Sequence, residues 1–270
     1  MTTIGTIAFT LYIAAWIALA MRWRASVKQT TPPSLSKHYL WTWLVAASLH
    51  AAYLYAPLFH QHHLALDFIS ASSHIMWLSG QILLITAITH RLESLNLFTL
   101  PLIALALLLQ LLTPVTEHTD KLVLTSGLGV HIFSALLAYS MLLIAAIQGV
   151  LLAYQHNHLH NHQPNALLRA LPALQDMDHL LFRFISVGVA LLSVALLTGF
   201  IYLDNLFDQH VAHKTILSII AWFVFSALLL GRWRYGWRGI SATRWTLSGF
   251  GILMLAFFGT KFVQEYLLTS

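Results

Sequence analysis

Cysteine is absent from the 270 residues, and charged residues are scarce, at 9% of the chain. Without a thiol the chain can form no disulfide, no thiolate metal site and no thiol redox centre. Soluble domains carry about 25% charged residues. A chain that is 58% hydrophobic is instead predicted to be embedded in a lipid bilayer. No carboxylate falls in the middle of an apolar run, which argues against a pump that moves protons through a buried acid.

The sequence also lacks the short motifs that mark common enzymes and nucleotide sites. It has no HExxH, no P-loop, no glycine-rich dinucleotide signature and no defensible Ser–His–Asp pattern. The formal net charge is +5, but the basic residues sit in short loops between apolar runs, where they set membrane orientation. Hydrolase and kinase functions are disfavoured for lack of these parts, and no nucleic-acid partner is expected.

Eight apolar runs are long enough to cross a bilayer, which takes about 20 residues per helix. We therefore predict an all-α, polytopic membrane helix bundle that forms a single transmembrane domain over residues 1–270. The first run lacks a basic n-region and a clear cleavage site, so it is predicted to be a retained helix and not a signal peptide. The predicted spans are 3–21, 39–57, 67–89, 96–113, 129–154, 180–202, 214–231 and 243–266.

Lysine and arginine are distributed unevenly between the two sides of this bundle. The side with more basic residues faces the cytoplasm in multi-pass proteins, and both termini are then predicted to lie outside. The opposite side carries only Lys121, Lys214 and Lys261. The 11 of 14 basic residues assigned to the cytoplasmic side are Arg22, Arg24, Lys28, Lys37, Arg91, Arg169, Arg183, Arg232, Arg234, Arg238 and Arg244.

Sixteen histidines are a high number for this length, and four of them lie in or at the ends of apolar runs. His50 and His74 are each seven residues from the outer end of their run. At 1.5 Å per residue, both are predicted about 10 Å below the outer surface. His131 and His213 lie at the outer starts of their runs. All four are therefore predicted in the outer half of the bundle, at two depths.

His131 shares a helix face with small side chains, Ser134, Ala135 and Ala138, which leaves room for a flat group. Neutral imidazole is a common metal ligand, and heme iron is its natural partner in a membrane protein without thiolates. Helices that face each other can supply two such ligands. We predict that His131 and His213 ligate heme b, with His50 and His74 as a deeper pair or as supporting groups. The alternative is that each histidine is an ordinary polar contact.

Two loop tracts are also rich in histidine. His60, His62 and His63 lie in a predicted outer loop, and the second tract, at residues 156–162, lies in a predicted cytoplasmic loop. Alternating histidines on a flexible loop can bind nickel, copper or zinc weakly. A solvated polar loop is the alternative for both tracts.

Short motifs follow one another in a fixed order through the second half of the chain. In that order they resemble the CcsA-type cytochrome c assembly superfamily over about residues 125–265. The amino-terminal half matches more loosely, and the whole looks like the short, eight-helix YpjD/HemX-like branch. The motifs are His131 with Ser134–Tyr139, then Met177–Arg183, Leu196–Gly199, Gly231–Arg232, Gly236–Gly239 and Phe257–Gly259.

This resemblance implies a multi-pass protein of the bacterial inner (plasma) membrane that binds heme and acts in, or descends from, cytochrome c maturation. Its partners would be other maturation proteins or an apocytochrome. Full members of the superfamily present heme through a tryptophan-rich WWD segment. Here the segment between the sixth and seventh spans reads LDNLFDQHVAHKT and has no tryptophan. Heme handling or chaperoning is therefore expected ahead of catalysis.

Two other functions are compatible with the sequence. The chain could be an accessory subunit of a transporter or assembly complex whose heme site has been lost. It could also be a metal-ion permease that uses the histidines as a ladder. A permease needs a continuous polar path, and the cytoplasmic halves of the second, fifth and seventh spans are apolar throughout.

Overall fold

The computed structural model describes residues 2–28, 30, 38–61, 66–89, 93–113, 126–161, 168, 171–202 and 209–260. Within these ranges the chain forms eight long helices and no strand, so the predicted all-α class is confirmed. The helices are α1 (Thr2–Lys28), α2 (Tyr39–Gln61), α3 (Phe68–Thr89), α4 (Glu93–Leu112), α5 (Ser126–His160), α6 (Leu174–Tyr202), α7 (Gln209–Tyr235) and α8 (Ile240–Met254), which continues as a π-turn at Leu255–Gly259.

Seven of these helices are long and apolar enough to cross a membrane, which confirms a polytopic bundle. The helix outside that group, among the described residues, is α2. It has 23 residues, enough to cross, and it contains Pro57 near its carboxyl end. A crossing by α2 and the outward position of both termini stay predictions.

Helix α5 is longer than the sequence suggested. It has 35 residues and continues to His160, six residues beyond the predicted end of that span at residue 154. His156, His158 and His160 therefore lie on a helix and not in a loop, which corrects the prediction for this tract. Polar residues alone do not end a helix, and neither glycine nor proline occurs between Leu151 and Gln163.

The remaining histidines of the two tracts are only partly described. His60 belongs to α2, whereas His62, His63 and His162 lie outside the described residues. Weak binding of metal ions by the tracts stays a prediction.

The helices group into two compact units. Unit 1 comprises residues 1–123 and 157–173 and contains α1 to α4. Unit 2 comprises residues 124–156 and 174–270 and contains most of α5 with α6, α7 and α8. His50 and His74 belong to unit 1, whereas His131 and His213 belong to unit 2. The prediction of one domain over residues 1–270 stays a prediction.

In unit 1, helix α1 packs against both α2 and α4. A polar contact lies toward its carboxyl end, where the Trp16 indole donates to the carbonyl of Leu97 at 3.0 Å. Farther along the helix, Arg22 Nε lies 2.6 Å from Glu93 Oε1, and this ion pair ties the end of α1 to the start of α4. Apolar packing and these two contacts together fix α1 against α4.

In unit 2, the π-turn at Leu255–Gly259 packs around one tyrosine of α5. The Tyr139 hydroxyl donates to the carbonyl of Leu253 at 2.7 Å, just before the helix changes its hydrogen-bonding pattern. The Tyr139 ring meets Phe257 and Phe258 edge-on, with centroids 5.8 and 6.4 Å away. A π-turn inserts one extra residue into a helix. Two consecutive phenylalanines thereby reach the same neighbour.

Two helical glycines in unit 2 allow a matched test of packing. A Cβ on Gly188 would lie 2.7 Å from Leu142 Cδ2 and 2.8 Å from Leu142 Cγ, whereas a Cβ on Gly251 meets nothing within 4 Å. We expect Gly188→Ala to lower the free energy of unfolding by about 1–3 kcal/mol through overpacking. Gly251→Ala should raise it by about 0.5–1 kcal/mol, because alanine is the better helix former. Reversible unfolding in mixed micelles measures both, and equal effects would contradict the α5–α6 packing described here.

Candidate functional site

The ring of His131 is oriented by a backbone carbonyl of a different helix. Its Nδ1 lies 2.8 Å from the carbonyl oxygen of Ala195 on α6. A carbonyl oxygen only accepts, so Nδ1 carries the proton and Nε2 keeps a lone pair. Among the described residues Nε2 makes no hydrogen bond. Histidines that bind metals commonly donate their other N–H to a carbonyl in this way, because the bond fixes the tautomer and the ring.

The sequence predicts that His131 shares a helix face with Ser134, Ala135 and Ala138, with room there for a flat group. The structure limits that room to the first turn of this face. Ala135, four residues from His131 on the same face, is half-buried. Ala138, by contrast, is completely buried by protein. The Ser134 hydroxyl donates to carbonyls of its own helix, those of Val130 and His131. Any flat group on this face would therefore lie toward the amino-terminal end of α5.

His213, the predicted partner of His131, lies in the second turn of α7 and is exposed. Both histidines belong to unit 2. An exposed imidazole is free to ligate, but its ring is not fixed as that of His131 is. The pairing of His131 with His213 stays a prediction.

In unit 1, His50 is buried and both of its ring nitrogens have partners. Nδ1 lies 3.3 Å from the Tyr12 hydroxyl on α1, and Nε2 lies 3.0 Å from Ser73 Oγ on α3. One ring nitrogen donates and the other accepts, and either hydroxyl can take the complementary role. His50 thus joins three helices as a polar cross-link, and this arrangement leaves it no lone pair for a metal.

His74 is buried to the same extent but keeps one ring nitrogen without a partner. Its Nδ1 lies 2.7 Å from the carbonyl oxygen of Ser70, so Nδ1 is again the donor. Nε2 is buried and has no hydrogen-bond partner among the residues that the structure describes, and the residue is only 1% exposed. A buried polar atom without a partner is destabilising unless a ligand satisfies it. His74 therefore presents the same type of available nitrogen as His131, in the other unit.

A second buried atom without a hydrogen-bond partner, among the described residues, belongs to Gln110 on α4. The Gln110 side chain donates through Nε2 to Ser70 Oγ at 3.5 Å, and its Oε1 is buried without a partner. The ring of Tyr55 meets His74 edge-on at 5.4 Å between centroids. These groups come from three helices of unit 1, and two of them, His74 and Gln110, carry buried acceptor atoms with unused lone pairs. The described part of the chain contains no group of three or more His, Cys, Asp or Glu that could hold a metal ion.

Unit 2 also contains a clamp formed by Asp178, Arg232, Trp237 and Gly239. Arg232 Nη2 lies 2.9 Å from Asp178 Oδ2, and its Nη1 donates to the Trp237 carbonyl at 3.1 Å. The other carboxylate oxygen accepts from the Gly239 amide at 3.2 Å. The guanidinium carbon lies 4.5 Å from the centre of the Phe182 ring. The clamp thus joins the start of α6 to the end of α7 and to the turn that follows.

The backbone of this turn requires glycine. Gly236 and Gly239 have φ of 68° and 62°, where other residues are strained. Gly231 lies against Trp237, and a Cβ there would overlap the indole ring. The motif residues that carry the family resemblance in this part of the chain therefore have a structural role, because they build the clamp and the turn.

Sequence reasoning missed several of these contacts. Nothing in the sequence marks the Ala195 carbonyl as the partner of His131, because every residue has a carbonyl. Tyr12 as the partner of His50 carried no signal either. Asp178 and Arg232 both belong to the motifs that carry the family resemblance. An acidic and a basic residue in one set of motifs are a signal from which this ion pair could have been predicted.

Comparison with known proteins yields one family and a consistent group of relatives. A family model described as "Cytochrome C assembly protein" matches residues 35–268. The chain is similar to "Inner membrane protein YpjD" of Escherichia coli K12, with 38% identity over 149 residues, 55% of this chain and 56% of the relative. It is also similar to "Protein HemX" of Brevibacillus brevis, with 24% identity over 54% of each chain.

A third relative belongs to the superfamily recognised from the motifs. "Cytochrome c biogenesis protein CcsA" of Gloeobacter violaceus is 26% identical over 100 residues, 36% of this chain and 30% of the relative. The chain thus spans at most about half the length of these curated relatives in its matches. No solved structure matches. The family match begins well before residue 125, so the similarity includes the amino-terminal half, where the motifs were weaker.

Proposed function

Because this chain belongs to the cytochrome c assembly protein family and is a multi-pass protein of the bacterial inner membrane, we propose that it binds heme b and handles or chaperones it. The family membership supports an involvement with heme. Catalysis of heme attachment is not part of the proposal. Its partners would be other cytochrome c maturation proteins or an apocytochrome.

The observation that carries the proposal is the hydrogen bond between His131 Nδ1 and the Ala195 carbonyl. It fixes the ring and leaves Nε2 as a neutral ligand atom, which is the form that binds heme iron. The residues present therefore fit the group. When bound, heme would supply an iron centre that two imidazoles can ligate, and this chain's part is to bind it, orient it and exclude water.

The four histidines take different roles in this proposal. His131 would hold the heme iron through its oriented ring, and His213 on α7 would supply the second imidazole to the same iron. His74 is the ligand of the deeper site in unit 1, because its Nε2 is buried and unpartnered. His50 supports that site, because its two ring nitrogens bond to Tyr12 and Ser73.

The test is the absorption spectrum of the purified protein from heme-replete cells. A reduced-minus-oxidised spectrum should show a Soret band and the α band of a six-coordinate, low-spin b-type heme. The pyridine hemochrome then identifies the heme and gives its amount per chain. Protein from heme-deficient cells, loaded with hemin afterwards, is the matched control. If neither preparation shows a Soret shift relative to free hemin, the proposal is rejected.

Substitution of His74 and His50 should have opposite effects on the heme-free protein. His74→Leu removes a buried unpartnered nitrogen, so we expect the free energy of unfolding to rise by about 1 kcal/mol. His50→Leu breaks two interhelical bonds and should lower it by about 1–2 kcal/mol. In heme-loaded protein, His74→Leu should instead reduce the heme content. Unchanged heme content would exclude His74 as a ligand without affecting the proposal for His131.

A further inference from the structure

The turn between α7 and α8 carries an excess of positive charge. Residues 231–245 contain four arginines and no carboxylate. Arg232 is neutralised by Asp178 in the clamp. The side chains of Arg234, Arg238 and Arg244 are exposed, and the described part of the chain contains no carboxylate within ion-pair distance of them. This short segment therefore presents three uncompensated guanidinium groups.

Large aromatic rings lie among these arginines. Trp233 is 84% exposed and Tyr235 is 76% exposed, both at the end of α7. The Tyr235 ring stacks on Trp237 at 6.4 Å, and Trp237 lies 5.3 Å from Trp245 on α8. Tryptophan and tyrosine are enriched where a helix leaves the hydrocarbon, because an amphipathic ring suits the level of the lipid head groups.

We propose that residues 233–245, here called the arginine–aromatic surface, bind the phosphate head group of an anionic phospholipid. Guanidinium groups bind phosphate oxygens in pairs of parallel hydrogen bonds, and the aromatic rings contact the glycerol and upper acyl region. A zwitterionic lipid carries its own cation, which three unpaired arginines repel. Anionic lipid is favoured over a protein partner because both the charge and the rings lie where a spanning helix meets the membrane surface.

The clamp makes this surface rigid. Arg232 holds the Trp237 carbonyl, and Asp178 holds the Gly239 amide, so both sides of Arg238 are fixed. Less conformational entropy is lost when a lipid binds to groups that are already ordered. The clamp also engages the buried Asp178 carboxylate with Arg232 and the Gly239 amide. This carboxylate is therefore not available to neutralise the exposed arginines.

The test uses full-length, delipidated protein in neutral detergent, titrated with phosphatidylglycerol or phosphatidylcholine and followed by native mass spectrometry. We expect phosphatidylglycerol to bind more tightly than phosphatidylcholine by about tenfold or more. The variant Arg234→Gln/Arg238→Gln should lose at least about tenfold in phosphatidylglycerol affinity. Trp233→Ala should weaken both lipids, since the ring does not distinguish head groups.

The matched control is Arg24→Gln/Lys28→Gln, which removes the same charge from exposed positions of α1. This variant should retain its phosphatidylglycerol affinity within about twofold, because neither residue belongs to the arginine–aromatic surface and an exposed charge outside a site is screened by salt. If both double variants lose the same affinity for phosphatidylglycerol, the effect depends on net charge alone and the proposal is overturned. Displacement of the lipid by an equal concentration of glycerol phosphate would also overturn it, by indicating a site for soluble phosphate. Heme is not required for any of these measurements.

Discussion

In a His74→Leu background, which removes the proposed ligand of the deeper site, His131→Ala is expected to reduce the heme content of the purified protein to less than about a tenth of the value without it. Loss of a supporting hydrogen bond alone typically lowers the affinity of a metal site 10–100-fold, so loss of the ligand itself should cost at least roughly 100-fold. The measurement is the pyridine hemochrome per mole of protein, with the Soret maximum as a second readout. Added imidazole should restore a low-spin spectrum in His131→Gly, because it can replace the missing ring.

The control for this prediction is His179→Ala, which removes an exposed histidine near the start of α6. It should leave both the heme content and the spectrum unchanged. His213→Ala should give a high-spin, five-coordinate spectrum if α7 supplies the second ligand. A His131→Ala protein that unfolds normally and still holds a full complement of low-spin heme would exclude this histidine as the ligand.

Arg232→Met should lower the free energy of unfolding by about 3 kcal/mol, because it leaves the Asp178 carboxylate buried without its cation. Asp178 is only 7% exposed, and the Gly239 amide would be its one remaining hydrogen-bond donor in the described part of the chain. Reversible unfolding in mixed micelles measures the change. This loss of stability should be large for substitution of a half-buried residue, because the clamp joins α6, α7 and the following turn.

The double variant Asp178→Leu/Arg232→Met tests whether the loss of stability comes from the broken ion pair or from changed side-chain packing. Replacing a buried ion pair by apolar side chains is often nearly neutral, so the double variant should recover most of the loss. Arg234→Met, in the same turn of α7 but exposed, should change stability by less than about 0.5 kcal/mol. If the double variant is as unstable as the sum of its single variants, Asp178 and Arg232 do not act as a pair. Heme content per folded protein should stay constant throughout this series.

The helices could be predicted from sequence because each apolar run is much longer than any buried strand, and bilayer thickness sets a minimum length. Their ends were harder to predict. Pro57 suggested the end of α2, but the helix continues to Gln61, since a proline near a helix end disturbs few hydrogen bonds. The histidines of α5 suggested a loop, but polarity does not stop a helix.

The contacts of the candidate site could be predicted only in part. The sequence showed that His131 and His74 lie in or at the ends of apolar runs, because depth follows from position in the run. It could not show which nitrogen is available, because that depends on partners far away in the chain. The Ala195 carbonyl is 64 residues from His131, and Tyr12 is 38 residues from His50. Packing, and not spacing, makes His74 a candidate ligand and His50 a cross-link.

The π-turn at the end of α8 has a consequence for insertions and deletions. An α-helix advances about 100° per residue, so the one extra residue of a π-turn rotates everything beyond it by that amount. Deleting Ala256 would return the helix to the regular repeat and swing one of the two phenylalanines away from Tyr139. A single added residue thus sets the rotation of residues 255–260 relative to the rest of α8, and a shift of one position there would change which of their side chains meet α5.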